Sequence, residues 1–114
     1  MSELTLVLKQ KWFDAILQGE KKDEHREIRP RNANRYCDFE ADGKLIGPKN
    51  YDTIKFFMGY ETDRPHMTVE VKSAEVVFFE DESGELITYE EDGIEYIEAE
   101  VVYQLGRLLN KHNC

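Results

Sequence analysis

The residues best suited to chemistry lie in the segment GEKKDEHR, where a lysine, a glutamate and an arginine follow one another at short spacing. Lys21 supplies a mobile ammonium, Glu24 a carboxylate, and Arg26 a planar guanidinium that donates in pairs to phosphates and base edges. In a strand the side chains of Glu24 and Arg26 share one face, about 7 Å apart. The three residues predict a site for an anionic or hydrogen-bonding ligand. The alternative interpretation is a group of solvated surface ion pairs.

A strand and a helix precede this segment and must position it. Leucines alternate over residues 4–8 as in a strand, and apolar residues recur at helical spacing over residues 10–18. Gly19 then stands where a helix commonly ends in a left-handed residue. The alternation over residues 24–28 predicts a second strand, which Pro30 ends because proline lacks the backbone donor.

Strands and turns dominate the rest of the sequence. Asp42–Gly43 and Asp92–Gly93 are pairs typical of tight hairpins, and the apolar alternation shifts at residues 73–75, which indicates a bend. Residues 106–114 are expected to form a short tail. One main helix and about six or seven strands predict an α+β fold, a small mixed β-barrel with the helix packed against it. We expect a single domain over residues 1–114.

Charge is distributed unevenly along the chain, whose net charge is -9. Residues 9–35 hold eight basic and five acidic residues, whereas residues 80–100 hold ten acidic residues and no basic one. Because salt screens exposed charges beyond about 8–10 Å, a local basic patch can still bind an anion. The acidic segment predicts a solvated face or, alternatively, a surface that binds a basic protein partner.

Several classes of protein are disfavoured by the sequence. Its two cysteines and three histidines lack the spacing of metal ligands, so no metal and no cofactor is expected. The N-terminus does not resemble a signal peptide, and no apolar stretch reaches the roughly 20 residues that a membrane helix needs. We therefore expect a reduced, cytoplasmic protein that does not associate with membranes.

The segment also resembles a known family. Four positions match the pattern G-x-K-x-x-E-x-R: Gly19, Lys21, Glu24 and Arg26. In its strand–helix–strand context this pattern resembles the ASCH domain, a member of the PUA-like β-barrel superfamily. A C-terminal Y-x-L-G at residues 103–106 and the order of the predicted elements are also consistent with that family.

The resemblance implies a groove beside the helix and the motif strand that binds RNA or a modified nucleoside or nucleotide. Some relatives are amidohydrolases that release acetate from N4-acetylcytidine, with a lysine at the position of Lys21 and a threonine at the position of Glu24. This chain has the lysine, but Glu24 replaces the threonine. Amidohydrolysis, with Lys21 as activator or nucleophile and Glu24 transferring a proton, is therefore the alternative hypothesis.

Further residues are candidates for the ligand-binding surface: Trp12, Arg29, Tyr60 and Arg64. An aromatic ring beside an arginine suits the stacking of bases, and arginine suits phosphate. The competing interpretations are helix core for Trp12, a solvated loop for Arg29, and an ordinary turn for residues 60–64.

Overall fold

The computed structural model describes residues 2–114, which form two helices and nine strands. The helices are α1 (Gln10–Leu17) and α2 (Ala33–Tyr36). The strands are β1 (Glu3–Leu8), β2 (Asp23–Ile28), β3 (Cys37–Phe39), β4 (Leu45–Pro48), β5 (Thr53–Met58), β6 (His66–Phe78), β7 (Thr88–Glu91), β8 (Ile94–Ile97) and β9 (Ala99–His112). This content confirms the predicted α+β class. No helix in residues 2–114 is long and apolar enough to cross a bilayer.

Five of the strands form one sheet in the order β1-β5-β6-β9-β2. β1 runs parallel to β5, with Leu6 opposite Phe56, and β5 runs antiparallel to β6, with Phe56 opposite Met67. Two further sheets are hairpins, β3–β4 and β7–β8. The large sheet has β1 and β2 at its two ends, and no closed barrel is found within residues 2–114.

The chain forms two compact units, which we describe separately. The first unit comprises the described residues up to Glu24 together with Asn50–Ser73 and Tyr103–Cys114, and the second comprises His25–Lys49 and Ala74–Val102. Strands β2, β6 and β9 each contribute residues to both units. The boundary in β6 falls at the predicted bend, although β6 continues there as one strand. The single domain over residues 1–114 stays a prediction.

The core of the first unit is built by the patterns that the sequence shows. The odd–even alternation of β1 and the stripe of α1 bury their apolar residues, and α1 packs against β1 and β5. Each large apolar side chain buried in this way contributes about 1.5–3 kcal/mol. The buried residues are Leu4, Leu6, Leu8, Phe13, Ile16, Ile54, Phe56, Met67, Val69, Tyr103 and Leu105. α1 ends before Gly19, which has a φ of +78°, as predicted.

In the second unit the β7–β8 hairpin turns at Asp92 and Gly93, whose positive φ values of 53° and 79° suit the predicted tight turn. One prediction about the C-terminus is wrong. Residues 106–112 are not a tail but the second half of β9, which extends to His112. The leucines in this half are exposed, so the sequence shows no alternation of buried and exposed positions from which a strand could be predicted. The strand forms here because β9 pairs with its neighbours in the sheet.

Candidate ligand-binding site

A cavity of about 320 Å³ opens in the first unit beside the C-terminal end of α1. Its walls come from the last turn of α1, the segment that follows, β6 and β9. Four of its lining residues are cationic: Lys21, Lys22, Lys72 and Arg107. Apolar residues complete the wall: Ile16, Leu17, Val69, Leu105 and Leu108. We call this the cationic cavity.

The charge of the cationic cavity is opposite to that of the whole chain. Among the described residues no carboxylate lines it, although the net charge of the protein is -9. A cleft lined by charge of one sign concentrates ions of the opposite sign. The cavity is therefore suited to an anion that also carries an apolar or planar part.

Backbone hydrogen bonds fix the segment that carries Lys21 and Lys22. The N–H groups of Glu20 and Lys21 donate to the carbonyl of Ala15 at 3.0 and 3.1 Å, which closes the end of α1. The N–H of Leu105 donates to the carbonyl of Lys22 at 2.8 Å. The two lysines are thus held between the helix end and β9.

Glu24 holds the side chain of Lys21. The Nζ atom of Lys21 lies 3.1 Å from Oε1 of Glu24 and 3.6 Å from Oδ1 of Asp23, and it also donates to the carbonyl of Asp23. Only 6% of the Glu24 side chain is exposed, against 20% for Lys21. The glutamate therefore orients the ammonium and presents little surface to a ligand.

Glu70 on β6 orients Arg107 on β9. The Arg107 N–H donates to Oε1 of Glu70 at 3.4 Å, and the guanidinium lies 3.5 Å from Oε2. A Cβ atom on Gly106 would collide with the Glu70 carboxylate, so only glycine permits this close approach. The Arg107 side chain is 80% exposed and can reach a ligand.

Two predicted site residues belong to the second unit. Arg26 is half-buried on β2. The guanidinium of Arg29 lies 4.1 Å from the centre of the Tyr89 ring, is bonded to Glu27 and lies 4.0 Å from Glu98. The hydrogen bond to Glu27 raises the pKa of Arg29. The guanidinium of Arg29 is therefore engaged by an aromatic ring and two carboxylates of its own unit.

Tyr60 and Arg64 line a second cavity of the first unit, of about 430 Å³, together with Phe57, Asp63 and His66. We call it the ring cavity. Tyr60 is 85% exposed, and the Arg64 guanidinium lies 4.0 Å from the centre of the Phe57 ring. The ring cavity and the cationic cavity share no lining residue.

Trp12 lies outside both cavities. Its side chain is 43% exposed on α1, and the Lys11 ammonium lies 4.7 Å from the centre of its ring. Phe13 and Ile16 occupy the buried stripe of the helix instead. The helix-core interpretation of Trp12 is therefore wrong. Adjacent residues of a helix are about 100° apart around its axis, so Trp12 faces away from the core when its neighbour Phe13 faces toward it.

Sequence reasoning did not identify three of the cations that line the cationic cavity: Lys22, Lys72 and Arg107. Lys72 stands on β6, and Arg107 on the part of β9 that was expected to be a tail. One signal was present, since Arg107 directly follows the Y-x-L-G motif at residues 103–106. Strand pairing brings these cations together, and no local pattern in the sequence encodes it.

The comparisons with known proteins give no assignment. No family model, no curated protein and no solved structure matches this chain. Within residues 2–114 no group of three or more histidine, cysteine, aspartate or glutamate side chains is arranged to hold a metal ion. The chemistry of the site must therefore be argued from its side chains.

Proposed function

We propose that the protein binds RNA, or a modified nucleoside or nucleotide, in the cationic cavity beside α1 and the start of β2. One observation carries this proposal: four cations and an apolar wall enclose a cavity without a carboxylate, in a chain with a net charge of -9. Lysine and arginine contacts to phosphate supply much of the affinity of nucleic-acid binding. The apolar wall suits the planar face of a base.

The resemblance to the ASCH domain supports the same site. The two motifs that carry the resemblance lie far apart in the sequence, yet both line the same cavity. The first motif contributes Gly19 and Lys21, and the second contributes Leu105 and Gly106. A PUA-like barrel is part of the proposal. Glu24 then acts by positioning Lys21.

The test is a binding titration with a labelled single-stranded RNA 12-mer and, separately, with AMP. Lys72→Ala and Arg107→Ala should each weaken RNA binding and reduce the slope of log affinity against log salt by about one. Lys44→Ala is the matched control, because this lysine lies outside the cavity, in the β3–β4 turn. Wild-type affinity in both cavity variants would disprove the proposal.

Amidohydrolysis of an acylated nucleobase is the second candidate, favoured by the contact of 3.1 Å between Glu24 and Lys21, of which Lys21 lines the cavity. An ammonium or amine beside a carboxylate can activate a carbonyl and pass a proton. Incubation with N4-acetylcytidine should then yield cytidine and acetate at the expense of one water. Turnover that Lys21→Met abolishes would establish the enzyme, and no cytidine release would exclude this substrate.

A protein partner is the third candidate, and the β7–β8 hairpin favours it. Ile94 and Leu86 are exposed among ten acidic residues that occupy positions 80–100. A basic partner with apolar side chains would complement this surface. The variant Glu90→Gln/Glu91→Gln/Asp92→Asn should then release a co-purifying basic protein, and unchanged co-purification would count against this role.

A further inference from the structure

The ring cavity of the first unit differs chemically from the cationic cavity. Its side chains include the rings of Phe57, Tyr60 and His66 and the guanidinium of Arg64, but also the carboxylates of Glu61 and Asp63. Two carboxylates beside one arginine disfavour a phosphate. Planar groups, in contrast, suit the face of a nucleobase, and carboxylates accept hydrogen bonds from its exocyclic amino groups.

Arg64 is fixed as a flat wall of the ring cavity. One of its nitrogens donates to the carbonyl of Gly59 at 2.8 Å, and its guanidinium lies 4.0 Å from the centre of the Phe57 ring. A guanidinium stacked on one ring still has a second face, on which a base can stack. Because the side chain is already ordered, binding costs little conformational entropy there.

His66 and His112 extend this wall across the sheet. The ring of His66 lies 5.1 Å from that of Phe57 and 4.7 Å from that of His112, to which it is nearly parallel. Burial and, after it, the nearby Lys55 lower the pKa of His66. A neutral imidazole offers one donor and one acceptor. One hydrogen-bond donor and one acceptor are suited to the edge of a nucleobase.

Tyr60 is the feature that lacks a structural explanation. Tyr60 lines the ring cavity and is 85% exposed, so its burial contributes little to folding. Proteins that bind single-stranded nucleic acid stack successive bases on exposed aromatic side chains of this kind.

We propose that the ring cavity binds one nucleobase, stacked against Tyr60 and Arg64, and that the ligand of the protein is a single-stranded oligonucleotide rather than a free mononucleotide. This inference rests on the proposed function, because the phosphates of the same strand occupy the cationic cavity. β6 connects the two: His66 lines the ring cavity, and Lys72, further along the same strand, lines the cationic cavity. Residues an even number of positions apart point to the same face of a strand, and at about 3.3 Å per residue these two lie roughly 20 Å apart, so a ligand that fills both cavities is longer than one nucleotide.

The test compares Tyr60→Ala with Tyr60→Phe, which keeps the ring and removes only the hydroxyl. Binding of labelled single-stranded 6-mers and of AMP is measured by anisotropy and calorimetry over a range of salt concentrations. Tyr60→Ala should weaken 6-mer binding about five- to a hundredfold, and Tyr60→Phe should restore it. The salt slope should stay unchanged in Tyr60→Ala, because no phosphate contact is lost. AMP should bind the wild-type protein at least tenfold more weakly than the 6-mer.

Each outcome of these binding measurements identifies which of the two proposals is wrong. If Lys72→Ala weakens 6-mer binding but Tyr60→Ala does not, the base-binding role of the ring cavity is wrong and the proposed function stands. If AMP binds as tightly as the 6-mer, the oligonucleotide preference is wrong. If no 6-mer binds the wild-type protein, both proposals fail. Thermal unfolding of Tyr60→Ala should match that of the wild type, since the side chain is exposed.

Discussion

Glu24 and Lys21 form an ion pair in which the carboxylate, not the ammonium, is the more deeply buried partner. Their charged atoms lie 3.1 Å apart, and the side chains are 6% and 20% exposed. A buried carboxylate needs its partners, because the loss of one leaves a desolvation cost uncompensated. The site therefore depends on this pair for its stability as well as for its geometry.

Lys21→Met should lower the free energy of unfolding by about 1–3 kcal/mol, because the buried Glu24 carboxylate loses its ammonium partner. Lys22→Met is the matched control: this neighbouring lysine is exposed, and its replacement should change stability by less than about 0.5 kcal/mol. Urea denaturation measures both values. Equal losses in the two variants would show that the ion pair contributes nothing specific.

Gly106→Ala should destabilise the protein by about 0.5–1 kcal/mol, because the new methyl group displaces the Glu70 carboxylate from Arg107. Gly47→Ala is the control, since a Cβ there meets no atom within 4 Å. In the double variant Glu70→Ala/Gly106→Ala, the Gly106→Ala change should lower the free energy of unfolding much less than it does alone, and a double-mutant cycle measures this difference. Full additivity of the two single changes would rule out the steric explanation.

The two thiols should react at very different rates. Cys114 is exposed, whereas Cys37 is buried, and burial raises the pKa of the Cys37 thiol, which lowers its thiolate fraction. With a thiol reagent at pH 8, one equivalent should react rapidly and the second only in denaturant. Two rapid equivalents in the native protein would contradict the burial of Cys37 next to α2.

Asp63 should titrate below the ordinary range of an aspartate. A hydrogen bond from His112 at 2.8 Å lowers the pKa of Asp63, and Asn113 contributes in the same direction. Since the folded state favours the ionised form, this contact stabilises the protein above the usual aspartate pKa and is lost as pH falls through the lowered value. Carboxyl NMR should record this titration.

In His112→Ala the pKa of Asp63 should rise toward its usual value. His25→Ala, which removes a histidine of the second unit that contacts Glu100, should leave Asp63 unchanged. An unchanged titration of Asp63 in His112→Ala would mean that the histidine does not hold the β5–β6 loop.

Sequence reasoning succeeded where the physical cause is local. The alternation of β1, the helical stripe that buries Phe13 and Ile16, and the turn at Asp92 and Gly93 each depend on a few neighbouring residues. Lys21 was singled out by the pattern G-x-K-x-x-E-x-R at residues 19–26 and does line the cationic cavity, while its role in binding stays a prediction.

The cations that join Lys21 could not be found in the same way. Lys72 and Arg107 reach the cationic cavity only because β6 and β9 are neighbours in the sheet, and register is a property of the assembled sheet. Arg107 was harder still to predict, because the leucines that follow it are exposed and the sequence there shows no pattern of a buried strand. The contact of Glu70 with Gly106 is likewise a meeting of distant residues.

The last three residues of the chain are tied to the ring cavity. His112 and Asn113 bond to Asp63, and the Cys114 thiol lies 3.5 Å from the carbonyl of His66. An affinity tag fused after Cys114 would start next to His66, which lines that cavity. Recombinant protein for ligand screening is therefore better purified with a cleavable handle at the opposite terminus.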